Sequence, residues 1–281
     1  MSNIIIGFRN LTTTATLTGG SWLAGLPVTN VGTPALAEVA RSTNALTTST
    51  KILCDFGTSK TTRVFALVNH NCSAAATWRV KLGSTSGGAE VYDSGALNVW
   101  TMTFDDILEW EDATWWIGAV GDEYLRSPFP AMHAASQGYT ARYLTIEITD
   151  TGNADGYVQV GRLFAGAGVQ PTYNMSYGFE TRWTDLSTSD YADSGARWST
   201  VRRKVREANL VLNWLAPEEA KYMHELQRLS GTTEEVVYLP FPADMDMSQR
   251  LGFHGHLHER TAIEHPFYNV WSLPIKLREL V

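Results

Sequence analysis

Residues 143–168 read YLTIEITDTGNADGYVQVGRLFAGAG, and their pattern determines the fold class. Residues 143–149 and 157–164 each alternate apolar with polar side chains, and a period of two places one face of a strand on a core. Residues 150–156 between them have the composition of a turn. The stretch predicts a hairpin that closes an N-terminal β-domain, with the small residues 166–168 as a hinge. The apolar positions are Leu144, Ile146, Ile148, Val158, Val160 and Leu163.

The amino-acid composition limits the kinds of protein that this chain can be. The chain has 281 residues, 44% of them apolar and 18% charged, and it contains no apolar run long enough for a transmembrane helix. This predicts a soluble globular protein of one large or two ordinary domains. Residues 1–9 lack the basic start of a signal peptide, so we expect synthesis without Sec export.

Charge and cysteine content narrow the class further. A net charge of −7 argues against a general nucleic-acid binder, because neutralising phosphates needs a surplus of Lys and Arg. Cys54 and Cys72 lie in strand-like sequence, and two buried free thiols are expected for a protein of a reducing compartment.

Strand patterns continue on both sides of the opening stretch. Residues 8–50 predict short strands and loops, and residues 171–195 a linker with a turn at YADSG. Residues 240–249 predict a loop. A tight turn is expected between the first two predicted strands. Alternation predicts that Trp78, Val80 and Leu82 face the core. The predicted strands cover residues 51–57, 63–71, 77–82, 91–100, 198–214, 235–239, 251–260 and 271–280. In the strand at 198–214, the residues expected on one face are Ala208, Leu210, Leu212 and Trp214.

One helix is predicted, over residues 216–231. Pro217 suits its first position and Gly231 its end. Tyr222, Met223, Leu226 and Leu229 recur at helical spacing and predict a stripe that faces the core.

Residues 103–118, TFDDILEWEDATWWIG, combine acids with tryptophans. Indole faces stack on sugar rings and carboxylates accept hydrogen bonds from hydroxyls, so one interpretation is a sugar-binding segment. The alternative, which we favour, is that Trp110, Trp115 and Trp116 cover core edges. A glycosidase pair drawn from the acids is a third interpretation, but spacing in sequence does not give the separation that this catalysis requires. The acids are Asp105, Asp106, Glu109, Glu111 and Asp112.

An ordered series of short motifs runs through the first 170 residues. The motifs are CDFG (54–57), RVFALVNHN (63–71), TWRVKLG (77–83), YDSG (92–95), YLTIEITD (143–150) and DGYVQVGRLFAG (155–166). The series resembles a family of bacteriophage and prophage virion proteins described as minor tail or tail-tip proteins. The resemblance implies a galactose-binding or discoidin-like, jelly-roll-like β-sandwich and a place in the virus particle.

The second half resembles the tail-tube or split-barrel domains of phage distal tail proteins in the order of its elements and in its closing strand, WSLPIKLREL. We therefore expect a mainly β protein with a sandwich over residues 1–168 and a smaller α+β domain with one helix over residues 169–281. A ring domain of this type would add its β edges to a neighbour's sheet.

Histidines give the clearest candidate for metal chemistry. His254, His256 and His258 alternate along one strand in HGHLHER, and imidazoles spaced in this way can ligate a transition metal. The interpretation that we favour is one face of an exposed or interfacial strand, because three ligands on one strand rarely close a tetrahedral site. His70 lacks a nucleophile in a recognisable motif, so we expect a hydrogen-bonded histidine at the core edge.

The remaining candidates are a basic run and the glycines near residue 165. Arg202, Arg203, Lys204 and Arg206 could face an acidic partner, although a solvated strand end is the favoured interpretation. The glycines match neither G-x-G-x-x-G nor a P-loop, which argues against nucleotide binding.

The sequence therefore predicts a non-enzymatic structural protein of a phage tail or tail tip, with no catalytic, metal or cofactor residues. The expected partners are other tail proteins and further copies of the chain in a ring, without nucleic acid or membrane insertion. The expected location is the virion tail, assembled in the cytoplasm of the bacterial host. The alternative function is a carbohydrate-binding adhesin that recognises host surface glycans.

Overall fold

The computed structural model describes residues 3–101, 129–191 and 193–281. In these ranges the chain is mainly β, as the sequence predicts, with α-helices α1 (Pro217–Ser230) and α2 (Met245–Leu251). Two short 3-10 helices cover Thr12–Thr14 and Val28–Gly32. The strands are β1 (Ile5–Phe8), β2 (Thr16–Thr18), β3 (Ala40–Arg41), β4 (Ile52–His70), β5 (Thr77–Gly83), β6 (Tyr92–Asp93), β7 (Leu97–Asn98), β8 (Ala131–Thr149), β9 (Gln159–Val169), β10 (Glu180–Asp185), β11 (Thr188–Tyr191), β12 (Arg197–Thr200), β13 (Lys204–Leu215), β14 (Glu235–Leu239), β15 (Phe253–Glu259), β16 (Glu264–Phe267) and β17 (Val270–Glu279).

Two long strands build the N-terminal sandwich by passing from one layer to the other. The start of β4 pairs with the end of β8, and the end of β4 pairs with the start of β8 and with β9. Register shifts between Asp55 and Val64 separate the two pairings. Ile52 and Leu67, from opposite ends of β4, meet in one core. Strands that change layers at such irregularities form the corners of a β-sandwich.

The opening stretch does not form the predicted hairpin. Strand β4 lies between β8 and β9 in the sheet, so the strands at residues 143–149 and 157–164 have a common neighbour and do not pair. The reason is that β4 is long and is apolar and buried from Val64 to Val68, where both of its edges pair. Adjacency in sequence therefore misled the prediction.

The small residues 166–168 lie inside β9 and are not a hinge. Gly166 pairs with Val64 of β4, and Gly168 pairs with Gly7 of β1. A Cβ on Gly166 would collide with the carbonyl oxygen of Phe8, and one on Gly168 would lie 2.7 Å from Cγ2 of Val64. Glycine is needed here because neighbouring strands approach closely.

Strand β1 joins the two halves of the chain into one sheet. It pairs with β9 on one side and with β14 on the other, so that Ile6 lies between Val169 and Tyr238. The main sheet runs in the order β10-β13-β17-β15-β14-β1-β9-β4-β8-β5-β6. The division into domains at residues 168 and 169 stays a prediction, and β1 belongs to a sheet that crosses it.

The strand prediction also failed at residues 51–71, where the single strand β4 covers Ile52–His70 in place of the two expected strands and tight turn. Residues Phe56 to Lys60 are partly or fully exposed and irregular in register, which gave the sequence its turn-like composition. Strands β5 and β14 match their predictions, with Trp78, Val80 and Leu82 buried on one face of β5.

Helix α1 confirms the predicted helix, with Ala216 before it and Gly231 after it. Met223 and Leu226 are buried in the core of the second half, and Leu229 packs against that core. Tyr222 was placed wrongly in this stripe, because its ring is exposed. It follows the buried position 220 by two residues, and about 200° around the helix turns a side chain away from the core.

Helix α2 was missed, since residues 240–249 were predicted to be a loop. The carboxylate of Asp244 accepts a hydrogen bond from the backbone N–H of Met247 at 3.1 Å and caps the first turn. A seven-residue helix presents too little periodicity to be recognised beside Pro240 and Pro242.

The predicted long strand at residues 198–214 is divided into β12 and β13. Ala208, Leu210 and Leu212 lie in the core as expected, but Trp214 does not. Between the pairs Leu212–Leu273 and Leu215–Trp271, two residues of β13 oppose one residue of β17, which is a β-bulge. The extra residue turns Trp214 outward and places Leu215 in the core.

Cys54 and Cys72 are free and buried, as predicted. Burial raises the pKa of both thiols. No described helix combines the length and the apolar character needed to span a membrane.

Candidate functional site

Strands β11 and β12, which we call the arm, form a sheet of two strands and pair with no other strand of the described residues. Every residue of both strands is exposed. Tyr191 and Trp198 expose 72% and 73% of their surface. A hairpin of two strands is marginally stable in water by itself. The arm therefore presents large aromatic side chains on an element that buries almost nothing.

The two faces of the arm each carry one aromatic side chain. Asp190 pairs with Trp198, and Tyr191 pairs with Arg197. Residues directly opposite each other in an antiparallel pair share a face, and successive residues alternate between faces. Trp198 therefore lies on one face of the arm and Tyr191 on the other, so that a partner could be contacted on both sides.

Side-chain hydrogen bonds fix the pairing within the arm and at its base. The hydroxyl groups of Ser189 and Ser199 lie 3.1 Å apart, and Arg197 donates to Ser189 at 2.9 Å. At the base, the backbone N–H of Arg202 donates to the hydroxyl of Ser187 at 2.9 Å. These bonds give the arm a defined register despite its exposure.

Strand β10 ends the main sheet beside the base of the arm. It pairs with β13 on one side and is the last strand of the path through the described residues. Trp183 on this strand is 53% exposed. The far edge of β10 offers main-chain donors and acceptors of the kind to which another chain adds a strand.

The basic residues of the run at 202–206 lie in two different environments. Arg206 is buried and donates to the carboxylate of Glu279 and, at 2.8 Å, to the carbonyl of Gly252. Arg202 and Arg203 are exposed and form no ion pair with any described residue. They line a cleft of about 540 Å³ where the arm leaves the body of the protein, with Leu36 opposite them. The favoured expectation of a solvated strand end holds for Arg202, Arg203 and Lys204 but is wrong for Arg206.

A buried polar group, which we call the junction cluster, connects the two halves of the chain. It consists of Asn10, Arg162, Glu235 and His254. Arg162 of β9 is completely buried and donates two hydrogen bonds to the carboxylate of Glu235 in β14. His254 lies 2.6 Å from Glu235 through Nε2, and Asn10 donates to the same carboxylate at 3.0 Å. Burial raises the pKa of Glu235, but the hydrogen bonds and charges of His254 and Arg162 outweigh it and hold the pKa at about 2.

The three histidines of HGHLHER therefore have separate surroundings. His254 belongs to the junction cluster, His256 is partly buried, and His258 is exposed. No group of three or more potential metal ligands occurs among the described residues. The favoured interpretation, one face of an exposed or interfacial strand, agrees with the exposed His258 but is wrong for His254, which is buried within the chain.

His70 is buried, but the expectation that it is hydrogen-bonded is wrong within the described ranges. Both ring nitrogens lack a partner there, and the ring packs edge-on against Trp100 at 5.3 Å. Burial lowers the pKa of His70 to about 4, only partly offset by the charge of Asp150. The ring is therefore buried and uncharged at neutral pH.

The candidates at residues 103–118 lie outside the described residues. This applies to Trp110, Trp115 and Trp116 and to the acids of the same segment. The arm, in contrast, is described but was missed, because residues 171–195 were predicted to be a linker. The one local signal was the turn at Asp193 to Gly195, since neither TSDY nor RWST alternates apolar with polar residues.

Comparison with known proteins gives structural matches alone. No protein-family model matches the chain, and no curated protein matches it. Among solved structures, a family 32 carbohydrate-binding module of NanJ from Clostridium perfringens, in complex with galactose, is 8% identical with a TM-score of 0.37. That match covers 57% of this chain and 98% of the module.

Two further matches come from the same organism. A module named CBM32-1 from a family 31 glycoside hydrolase is 11% identical, with a TM-score of 0.35 and coverage of 57% of this chain and 98% of the module. A family 89 glycoside hydrolase in complex with GlcNAc-alpha-1,4-galactose is 14% identical, with a TM-score of 0.38. The match covers 56% of this chain but spans 14% of that enzyme. All these TM-scores are below 0.5, so a functional proposal has to rest on the geometry of the chain itself.

Proposed function

We propose that this chain is a non-enzymatic structural protein that assembles with other chains through the arm and the edge of β10. The observation that carries the proposal is the arm: two fully exposed strands that pair with each other and with no further described strand, with Tyr191 and Trp198 on opposite faces. Exposed aromatic side chains on an element without a core of its own are typical of a contact surface.

The edge of β10 supports the same proposal. No strand in the described part of the chain pairs with this edge, and a free edge at the end of a large sheet favours pairing with a second chain through main-chain hydrogen bonds. The buried pair of Arg206 and Glu279 anchors the neighbouring strand β13 to β17. A rigid base lets the arm hold a fixed direction when a neighbour docks.

A finer proposal concerns the kind of assembly. The ordered motifs of residues 54–166 resemble those of phage tail proteins, so we propose a place in a phage tail or tail tip. The chain would be assembled in the cytoplasm of the bacterial host, with further copies in a ring and other tail proteins as partners. The overall charge of −7 and the exposed Arg202 and Arg203 provide opposite charges for contacts between copies.

The experiment compares oligomeric state with and without the aromatic side chains of the arm. Light scattering and negative-stain microscopy of the full chain, alone and with tail proteins, should show assemblies that the double variant Tyr191→Ser/Trp198→Ser does not form. Tyr222→Ser is the matched control, because Tyr222 is similarly exposed but lies on helix α1. A wild-type chain that stays monomeric at all concentrations and is absent from virions would overturn the proposal.

Carbohydrate binding is a second candidate function, motivated by residues 103–118. Three tryptophans and five acids in this segment supply stacking surfaces and hydrogen-bond acceptors for sugars. The NanJ module was solved with galactose, but the hypothesis rests on the segment. Glycan-array binding that is lost in Trp115→Ala or Trp116→Ala would support it, and the absence of binding to host surface glycans would count against it.

A further inference from the structure

A cleft of about 320 Å³ lies in the second half of the chain, between the end of β13 and the hairpin formed by β16 and β17. Its lining includes Asn213, Trp214, Glu264, Phe267 and Ser272. The volume is at the lower end of the range for small-molecule sites and suits a ligand of one or two rings. We call it the Trp214 cleft, and its residues belong neither to the arm nor to the segment at residues 103–118.

Trp214 is held at the cleft by a strained backbone. Its φ is +64°, in the left-handed region, whereas Leu210 and Leu212 before it occupy the core. A bulky residue with this backbone is an outlier, and such outliers concentrate at functional sites. The β-bulge between Leu212 and Leu215 moves a tryptophan from the core face to the surface, where 59% of it is exposed.

Two polar side chains of the cleft are placed to bind a ligand: the amide of Asn213 has a fixed orientation, and the carboxylate of Glu264 is exposed. The side-chain amide of Asn213 donates to Ser176 at 2.7 Å, and its oxygen accepts from the hydroxyl of Ser272 at 2.7 Å. These two bonds fix the amide and leave it a second N–H and a second lone pair. The carboxylate of Glu264 is exposed and forms no ion pair with any described residue.

Aromatic surface completes the cleft. Phe267 is 67% exposed and lines the cleft together with Trp214. No Lys, Arg or His is among the described residues that line it, so an anionic ligand would find a carboxylate and no compensating charge. Apolar ring faces combined with an oriented amide, a hydroxyl and a carboxylate match a ligand with C–H surfaces and many hydroxyl groups.

We propose that the Trp214 cleft binds an uncharged hexopyranose at the end of a glycan. The sugar ring stacks on the indole of Trp214, and its hydroxyl groups donate to the carboxylate of Glu264 and exchange hydrogen bonds with Asn213. This binding is independent of assembly through the arm. It also differs from the candidate at residues 103–118, since the site lies in the other half of the chain.

The test is a titration of the full chain with methyl glycosides of galactose, glucose, mannose and N-acetylglucosamine, followed by ligand-observed NMR and tryptophan fluorescence. We expect saturable binding of at least one of them. Trp214→Gly should weaken it by roughly tenfold or more, since the stacking surface is lost. Glycine accepts the left-handed backbone, so this variant keeps the fold that Trp214→Ala could disturb.

Further variants distinguish the Trp214 cleft from the other aromatic surfaces of the chain. Glu264→Gln should weaken binding several-fold, because it replaces a charged acceptor. The controls Tyr268→Ala and Trp198→Ala remove exposed aromatic side chains beside the cleft and on the arm, and should leave binding unchanged. Trp115→Ala/Trp116→Ala should also leave it unchanged.

Three results would overturn the proposal. They are the absence of saturable binding by every uncharged glycoside, binding that survives in Trp214→Gly, and a preference for choline over all the sugars. The last result would identify the cleft as a site for quaternary ammonium groups, which aromatic rings and a carboxylate can also bind. Assembly through the arm is measured by light scattering, so its failure is distinguishable from the failure of this proposal.

Discussion

The junction cluster and the base of the arm contain the same kind of charged side chain in opposite surroundings. Arg162 is completely buried and bound to Glu235, while Arg202 and Arg203 are exposed without an ion pair among the described residues. Removing a partner from a buried pair leaves an uncompensated charge, but exposed charges contribute little to stability. Arg162 and Glu235 therefore hold the two halves of the chain together, whereas Arg202 and Arg203 remain available to a partner.

The largest expected effect is in the junction cluster. Glu235→Ala leaves Arg162 and His254 buried without their carboxylate, so the free energy of unfolding should fall by about 3–5 kcal/mol. Urea denaturation followed by circular dichroism measures the change. Glu218→Ala is the control, because Glu218 forms an exposed ion pair on helix α1, and it should unfold like the wild type. Equal stability of the two variants would contradict the contrast between the cluster and the exposed charges.

Acid should weaken the buried region before it affects the arm. The folded-state pKa of His70 is about 4 and the ordinary value is 6.5. The unfolded chain therefore binds a proton first as the pH falls, and stability is complete above pH 6.5 and declines toward pH 4. The contribution of His70 to this loss should reach about 3 kcal/mol at the acid limit, and burial lowers the pKa of His133 to about 4 as well, so that His133 adds to the decline over the same range. Urea midpoints between pH 7 and pH 4 measure it.

His70→Phe isolates the source of this decline by removing the titrating group from the same packing position against Trp100. The variant should show a shallower decline between pH 6.5 and pH 4. His224→Gln, at an exposed position on helix α1, should follow the wild type. The carboxylate of Glu235 has a pKa lowered from 4.5 to about 2, so its contribution is lost only at lower pH, as the pH falls from 4.5 through 2.

At Trp214 we expect a substitution to increase the free energy of unfolding, by a smaller amount than the decreases above. Trp214→Gly relieves a left-handed backbone, which costs a residue other than glycine about 1–2 kcal/mol. Glycine also has more freedom in the unfolded chain, so we expect a net gain of about 1 kcal/mol or less. Thermal unfolding measures it, with Trp183→Gly on β10 as the control that should not gain stability. A loss of stability in Trp214→Gly would show that the packing of the indole outweighs the strain of its backbone.

The smallest effect on stability should come from the arm. Tyr191→Ser/Trp198→Ser removes side chains that contact almost nothing within the chain, so the unfolding midpoint should match that of the wild type. The same variant should lose assembly in light scattering. A clear fall of the midpoint in a monomeric preparation would mean that the arm packs on its own chain and does not differ from the junction cluster in this respect.

The sequence patterns predicted well which face of a strand is buried, but they predicted poorly which strands are neighbours in the sheet. Alternation identified the buried face of residues 77–82 and the strand at residues 235–239, because side-chain period is a local property. It paired residues 143–149 with residues 157–164 although β4 lies between them, since sheet order depends on distant segments. Local pattern also placed Trp214 in the core, and only the bulge opposite β17 reverses its face.

The functional surfaces were harder to predict for the same reason. The polar composition of residues 171–195 resembles a linker. Nothing in it indicates that β11 pairs with β12 across the turn and with no strand of the main sheet among the described residues. The Trp214 cleft combines the ends of three strands, which sequence spacing does not bring together. His254 appeared with two other histidines as a ligand candidate, and its carboxylate partner at Glu235 is visible only after β14 and β15 pair.

The position of β1 has a consequence for how the chain reaches its fold. Ile6 pairs with Val169 on one edge and with Tyr238 on the other, so one edge of β1 stays open until β14 has been synthesised. Contacts between such distant segments slow folding, and an open edge favours aggregation during that delay. A chain that ends before Glu235 should therefore scatter more light during refolding than the full chain, and equal scattering would show that this edge is protected in another way.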